Sequence, residues 1–438
     1  MNLISKIQEI EKNYDIETVI SNNVPIWQFL RNIVHSQIYD IKKINKLKKA
    51  YYLLKNKNWG EYSVSEKYKY VLFTDLREEV LENNLRFDKT SQNLIDLISD
   101  DLLVVVNPGG KIHPHSSNYS YNHMSTSFFH YKRWSGGLYK SLKIKNKSIL
   151  NSIIQRYSLD LDIIYYNRLF FTYVHIFSNW LNGVSPKVIF INCYYSLFHQ
   201  ALIFACKQKK IKCVEIQHGL ISNSHTQYSP KKFIGTHCMP DYLLCYNDYV
   251  KNFTNKNYIK PENIIPIGHY YLEKKISGQN EGYGLSSIKY KKIIVVSTQD
   301  SIEKELIQKI EEIAKIKANI LFIIKTRDAN HALSRYKNIK VSSQDIYSLI
   351  KQADIHISCY STVALEASMM GTPTILININ NMSTLYFDSI INEFQNIIIC
   401  ESISDVINKI DNWSPEKTTN FPYALNNKER IKRFIGSL

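Results

Sequence analysis

The chain has 438 residues, 44% hydrophobic and 21% charged, enough for two or three domains each with its own core. No uninterrupted apolar run approaches the length of a membrane-spanning helix, and Met1 to Lys6, soon followed by Glu9, Glu11 and Lys12, does not read as a secretory signal. Seven scattered cysteines without a Cys-x-x-Cys pair read as reduced, mostly buried thiols of a cytosolic protein, while the formal charge of +16 asks for an anionic partner or a solvated lysine-rich surface.

Up to about Trp59 the pattern is helical: Ile4, Ile7 and Ile10, then Trp27, Leu30 and Ile33, recur at helical spacing. Lys42, Lys43, Lys46, Lys48, Lys49, Lys55 and Lys57 lie beside Tyr51, Tyr52, Leu53, Leu54 and Trp59. Such a mixture suits an anionic membrane surface, nucleic acid or an anionic substrate, or else a plain solvated helix face. No nucleic-acid-binding motif accompanies the charge, so no nucleic acid partner is expected.

Tyr70 to Asp75 and Leu102 to Val106 are strands, the second closed by Asn107-Pro108-Gly109-Gly110, with a helix expected between them near Gln92 to Ile98. This alternation predicts a parallel sheet. Residues 111–150 read as a long polar and aromatic surface excursion; His113 and His115 lack a nearby carboxylate or cysteine to complete a metal site. Long helices follow from about Ser148 to Leu181. Asp160-Leu161-Asp162 resembles the Asp-x-Asp metal motif of one class of sugar transferases, but two residues apart in a helical run point to different faces, which argues for coincidence.

Lys187 to Ile191 is a strand, Leu197 to about Lys207 a helix, and Lys212 to Ile216 a second strand that stops at Gln217-His218-Gly219. This is a βαβ unit, and ligands of open parallel sheets collect beyond the carboxyl ends of the strands. His218 stands at such an end and is a candidate base. Glu215 is unusual in a strand buried on both faces; it either orients a catalytic group or is paired with a lysine or arginine. Asp241 to Tyr246 and Ile264 to Gly268 end the first domain, and Ser277 to Gly284 is a glycine-rich joint.

A second α/β unit follows. Lys292 to Val296 is a strand ending at Ser297-Thr298-Gln299, whose hydroxyls either touch a ligand or cap a loop. Ile302 to Ile316 is a helix, Asn319 to Ile324 a strand ending at Lys325-Thr326-Arg327, Ile346 to Lys351 a short helix, and Ile355 to Ser358 another strand. Ser361 is placed as the N-cap of a helix running to about Met370, stopped by Gly371 and Pro373. Ser361 and Thr362 thus offer hydroxyls and free N–H groups to a phosphate, with Lys325 and Arg327 to neutralise it and Glu366 to accept from a ribose. Ile375 to Ile377 is the last clear strand, and a basic helix begins near Asn427. The expected domains are a helical extension (1–60), a Rossmann-like acceptor domain (61–276), a Rossmann-like nucleotide-donor domain (285–424) and a terminal helix (425–438).

Glu215-Ile216-Gln217-His218-Gly219 with His225 and Tyr228, and Tyr360-Ser361-Thr362-Val363-Ala364-Leu365-Glu366-Ala367 with Gly371-Thr372-Pro373, resemble bacterial GT-B glycosyltransferases of surface-polysaccharide (capsule or lipopolysaccharide) biosynthesis. They also resemble the related polyol-phosphate transferases of teichoic acid synthesis, in which the histidine of a similar His-Gly motif is the proposed base. The resemblance spans roughly Lys187 to Ile377. It implies two facing Rossmann-like domains, a nucleotide-sugar donor as substrate with no cofactor or metal, and a glycan or lipid-linked acceptor. His218 and Glu215 become the catalytic candidates, and Ser297, Thr298, Lys325, Arg327, Ser361, Thr362 and Glu366 the nucleotide-binding ones. Those relatives often carry a His-Pro pair where this chain has Lys325-Thr326-Arg327. A CDP-polyol phosphotransferase, a nucleotide-sugar epimerase and a non-catalytic membrane scaffold are the competing expectations. The expected location is the cytoplasm, peripheral on the inner face of the plasma membrane.

Overall fold

The structure, a computed structural model, describes residues 5–38, 46–60, 66–82, 84–278, 290–299, 301–326, 336–413, 415 and 423–438. The chain divides into two compact units, residues 1–221 with 225–270 and 426–438, and residues 222–224 with 271–425. The joint expected at Ser277 to Gly284 lies largely outside the described residues.

In the first unit, seven strands form one wholly parallel sheet: β1 (Tyr70–Asp75), β2 (Leu102–Asn107), β3 (His123–Ser125), β4 (Val188–Ile191), β5 (Lys212–Ile216), β6 (Tyr242–Cys245) and β7 (Ile264–Pro266). Their order is β7-β6-β5-β4-β1-β2-β3, so the chain starts in the middle, fills one side, then crosses back and fills the other. The switch point lies between β1 and β4. Their apolar runs are buried on both faces, as a sheet covered by helices requires. Register aligns the carboxyl ends, pairing Phe73 with Ile191 and Ile191 with Glu215. The long helix α4 (Ile163–Val184) and α5 (Leu197–Gln208) pack together, and Ser196 caps α5 by accepting from the amide of His199 at 3.1 Å.

The first helices, α1 (Ser5–Asn13) and α2 (Trp27–Ile38), are part of this unit's core rather than an appendage, with Ile7, Ile10, Trp27, Phe29 and Leu30 buried. Phe29 stacks on Phe170 of α4 with centroids 4.0 Å apart. Lys42 and Lys43 lie outside the described residues. In α3 (Lys46–Asn56), Tyr51 and Leu54 are exposed and Lys48 lies 5.9 Å from the Tyr52 ring.

Two expectations change here. Residues 111–150 are not a surface excursion: they contribute edge strand β3 and a helix, Ser127–Gly136. His113 is buried, stacked on Trp59 at 3.7 Å, with Nε2 3.0 Å from Ser125 Oγ. The indole of Trp59 donates to the Pro114 carbonyl at 2.8 Å, and Gly60 at φ +115 is required beside it, because a Cβ there would sit 2.1 Å from the His123 carbonyl oxygen. Aromatic rings that looked like surface decoration therefore close one sheet edge. Asp160-Leu161-Asp162 lies in the break between two helices, Lys147–Tyr157 and α4, and Asp162 caps α4 by accepting from the amide of Tyr165 at 2.9 Å. The stretch is therefore not part of a helical run, and Asp162 is engaged as an N-cap.

The second unit repeats the winding with β8 (Lys292–Ser297), β9 (Ile320–Lys325), β10 (Ile339–Val341), β11 (Ile355–Ser358), β12 (Thr374–Ile377) and β13 (Ile397–Cys400), all parallel, in the order β10-β9-β8-β11-β12-β13. Strand β12 is not the last; β13 follows it. Amphipathic α6 (Glu303–Ile316) covers one face with Leu306, Ile310 and Ile313 in the core, and α7 (Val363–Met369) follows β11. Gly371, at φ +80, ends α7. α8 (Ile403–Asn412) opens on a capping box between Ser402 and Asp405. The closing helix α9 (Asn427–Ser437) belongs to the first unit, where Asn427 donates to the Ile267 carbonyl at 3.0 Å and Ile431 and Phe434 enter the core. Among the described residues, no helix is long and apolar enough to cross a membrane.

Candidate active site

In the first unit the residues following β1, β4 and β5 gather at one end of the sheet. His218, two residues past β5, is half-buried, and its Nε2 lies 3.3 Å from the hydroxyl of Tyr195 in the loop after β4. Burial pushes the His218 imidazole down to about 4, opposed by the Asn192 backbone and by Asp75 and reinforced by Arg77. Neutral at pH 7, it has a lone pair available to accept a proton. His225 packs edge-on to Tyr195 at 5.3 Å and against Tyr228 at 4.6 Å; burial, with His218 second, pushes it down to about 3. At the carboxyl end of β1, Asp75 grips Arg77 through two side-chain contacts of 2.9 and 3.1 Å and accepts from Asn107 at 2.8 Å. The Arg77 side chain is 75% exposed, so a fixed guanidinium stands at the switch point.

Glu215 is elsewhere. It is 0% exposed and, among the described residues, makes no pair with a lysine or arginine; it accepts from the Tyr194 amide at 3.2 Å, from Tyr228 at 3.0 Å and from Tyr258 at 2.6 Å. Burial raises its carboxyl to about 7 against these three donors. Tyr194 in turn donates to the Gln227 carbonyl. Glu215 is therefore the knot that ties the loops around His218 together, one shell removed from the histidine. Phenols took the place expected of a cation, because the loops bring tyrosines, not lysines, to the sheet interior.

Helices α1 and α2 reach the same loops. Arg31, buried against Glu11, donates to Gln227 Oε1 at 3.0 Å, and the Lys231 amide donates to Glu11 Oε2 at 2.8 Å. Sequence reading missed Tyr195, Arg77 and Arg31. A tyrosine pair after an apolar strand, Tyr194-Tyr195, was the available signal for the first. The others needed the topology.

In the second unit, β8 and β11 flank the switch point. Ser297 Oγ is 2.8 Å from His356 Nε2 and 3.1 Å from Ser358 Oγ, and Thr298 donates to Glu303 at 2.8 Å. Each is 5% exposed, so these hydroxyls tie strand ends and hold the Glu303 side chain at the start of α6 rather than face outward. Ser361 and Thr362 are half-buried; Ser361 Oγ accepts from the Val363 amide at 3.3 Å, and Thr362 makes no side-chain cap bond. Lys325 donates to the Ser343 carbonyl at 2.8 Å, and burial lowers its ammonium against the pull of Asp345. Arg327 lies outside the described residues. Glu366 is 6% exposed and accepts from Tyr347 at 2.9 Å through Oε2. Tyr360 and Tyr386, both half-buried, stack at 5.0 Å beside this end.

Two Rossmann-like units in succession, each with its switch point at the centre of a parallel sheet, define a GT-B-like fold. Within that class, the chain is similar in structure to UDP-GlcNAc 2-epimerase from Methanocaldococcus jannaschii, with a TM-score of 0.53 and 13% identity over 84% of this chain and 99% of that one. It is also similar to a putative UDP-N-acetylglucosamine 2-epimerase from Listeria monocytogenes (TM-score 0.52, 11% identity, 84% and 95% covered). UDP-GlcNAc 2-epimerase from Neisseria meningitidis, bound to UDP-GlcNAc, gives a TM-score of 0.50 at 12% identity, with 84% and 100% covered. At these identities the likeness is one of fold. Residues 292–420 match the family model described as "Protein of unknown function (DUF354)". No curated protein matches the chain.

Proposed function

We propose that this chain is a glycosyltransferase that moves a sugar from a nucleotide-sugar donor to a growing cell-surface glycan or lipid-linked acceptor, without a metal ion. The observation that carries the reading is the different chemistry at the two switch points: a neutral imidazole beside a phenol in the first unit, hydroxyls and an ammonium in the second. His218 takes the proton of the acceptor hydroxyl as its oxygen bonds to the sugar carbon. The sugar–phosphate bond breaks, and its electron pair leaves with the nucleotide. Ser361, Thr362 and Lys325, with Arg327 following Lys325 closely in sequence, bind the departing phosphate. Glu215 positions rather than reacts.

Exposed Tyr51 and Leu54 among the lysines of α3 support a cytoplasmic protein resting on an anionic membrane surface. The similar epimerases favour a second reading, in which the donor itself is converted and no acceptor is needed. A CDP-linked polyol-phosphate donor is the third.

Calorimetric titration with UDP, GDP and CDP, then incubation with the matching donor with and without glycan acceptor, separates these by product mass and by NMR. Acceptor-dependent nucleotide release is expected. Conversion of the donor alone selects the epimerase, a product heavier by a polyol phosphate selects the phosphotransferase, and binding of no nucleotide rules out all three.

A further inference from the structure

At the opposite, amino-terminal ends of β5 to β7, the first unit holds a cavity of about 530 Å³. That is within the range of small-molecule sites, about 300–1,000 Å³. Lys207, Lys210, Lys212 and Lys260 line it, against one carboxylate, Asp241. Asp241 is already engaged, 3.2 Å from Lys207 Nζ and accepting from the Cys213 amide at 2.8 Å. Lys260 has Glu262 no nearer than 3.9 Å, with both side chains in solvent. The carbonyls ending α5 account for Lys207 and Lys210 as helix-end cations, but not for Lys212 at the start of β5 or Lys260 on a separate loop. Beneath the lysines the lining is apolar, with Ile211, Met239, Pro240 and Ile259, and Lys212 Nζ stands 5.7 Å from the Tyr242 ring. Surplus positive charge over an apolar floor fits an organic anion that joins a phosphate to a flat apolar group.

The same cavity is lined by Tyr258, whose hydroxyl donates to Glu215 at 2.6 Å. Glu215 also holds Tyr194 and Tyr228, which flank Tyr195 and His225 around His218. One residue thus belongs both to the cavity wall and to the buried knot behind the histidine.

We propose that this basic cavity is a second ligand site, for a small phosphorylated organic anion, and that its occupancy reaches His218 through Tyr258 and Glu215. A ligand that favours one setting of Tyr258 biases the loops that Glu215 ties, and by linkage a ligand at His218 biases the cavity. The coupling rests on the reading of His218 as the reactive base; the binding does not.

Phenyl phosphate and inorganic phosphate, titrated calorimetrically into the full chain, test the site. Wild type and His218→Ala should bind phenyl phosphate alike and more tightly than inorganic phosphate. Lys210→Ala with Lys212→Ala and Lys260→Ala should weaken it by at least about tenfold, and the single reversal Lys210→Glu should act in the same direction if the triple variant fails to fold. No binding, or affinity unchanged in either variant, overturns the site. In the same titration followed by NMR, the His218 Hε1 resonance, assigned by its loss in His218→Ala, should move in wild type and stay fixed in Tyr258→Phe, which still binds. A resonance that stays fixed in wild type, or moves equally in Tyr258→Phe, overturns the coupling and leaves the transferase reading standing.

Discussion

Arg31 Nη1 donates to Gln227 Oε1 across 3.0 Å, joining α2 to the loop that follows His218, 196 residues away along the chain. Arg31 and Glu11 are both buried, and Glu11 also accepts from the Trp27 indole at 3.2 Å. The amino-terminal helices therefore brace the candidate site, and the brace is a paired charge inside the fold.

Arg31→Met leaves Glu11 buried without its cation, a loss of about 3–5 kcal/mol. Urea denaturation should show that loss, and adding Glu11→Gln should recover part of it. Equal stability of the two variants would mean that the pair does not brace the loop.

Glu215 sets a pH dependence of stability. Its carboxyl is raised from 4.5 to about 7, so between those values the folded chain keeps a proton that the unfolded chain has released. Its contribution is fully present below pH 4.5 and is lost as pH rises through 7. Glu78 and Glu79, raised by burial to the same value, act alike, so the difference between wild type and Glu215→Gln isolates the one group. That difference should fall in favour of the variant as pH rises from 5 to 8 in urea titrations; a constant difference would contradict the burial of an ionisable acid here.

The histidines work in the other direction. His218 and His199 are held at about 4, and His113, His225 and His356 at about 3, all by burial first. Their contribution is present above the ordinary histidine value of about 6.5 and lost as pH falls through 4 and 3. For His218 as the base, turnover should change little between pH 8 and 5. A rate that halves near pH 6.5 would show an imidazole in an ordinary aqueous setting.

Asp162 offers a control on motif reading. As the N-cap of α4, its replacement by alanine should cost about 0.5–2 kcal/mol of stability and leave turnover unchanged. Lost turnover in a fully folded Asp162→Ala variant would return the Asp-x-Asp stretch to the reaction.

In the second unit, Ser361→Ala with Thr362→Ala should weaken calorimetric binding of the preferred nucleotide by about tenfold, the loss of one or two hydrogen bonds to a charged group. Ser297→Ala should leave affinity unchanged, since its hydroxyl lies between His356 and Ser358.

The parallel strands were legible because doubly covered strands read as apolar runs: Tyr70 to Asp75 and Ile355 to Ser358 were placed to the residue. β3 and β10, three residues each, include His123, Ser125 and Lys340 and so lack the apolar run that revealed β7 at the same length. His218 was legible from its place after β5, where the apolar pattern breaks. Its partner Tyr195 was not, because the two meet only when β4 and β5 lie side by side in register. Glu215 was conspicuous as a buried charge, yet its partners are two phenols and a backbone amide from three separate loops, which no local pattern announces.

The most direct test is turnover of the matching nucleotide-sugar donor with acceptor by wild type and His218→Ala, each with nucleotide affinity measured alongside. The variant should bind nucleotide as tightly as wild type and turn over about 10²–10⁴-fold more slowly. Undiminished turnover by His218→Ala would contradict the assignment of the base and the reaction built on it.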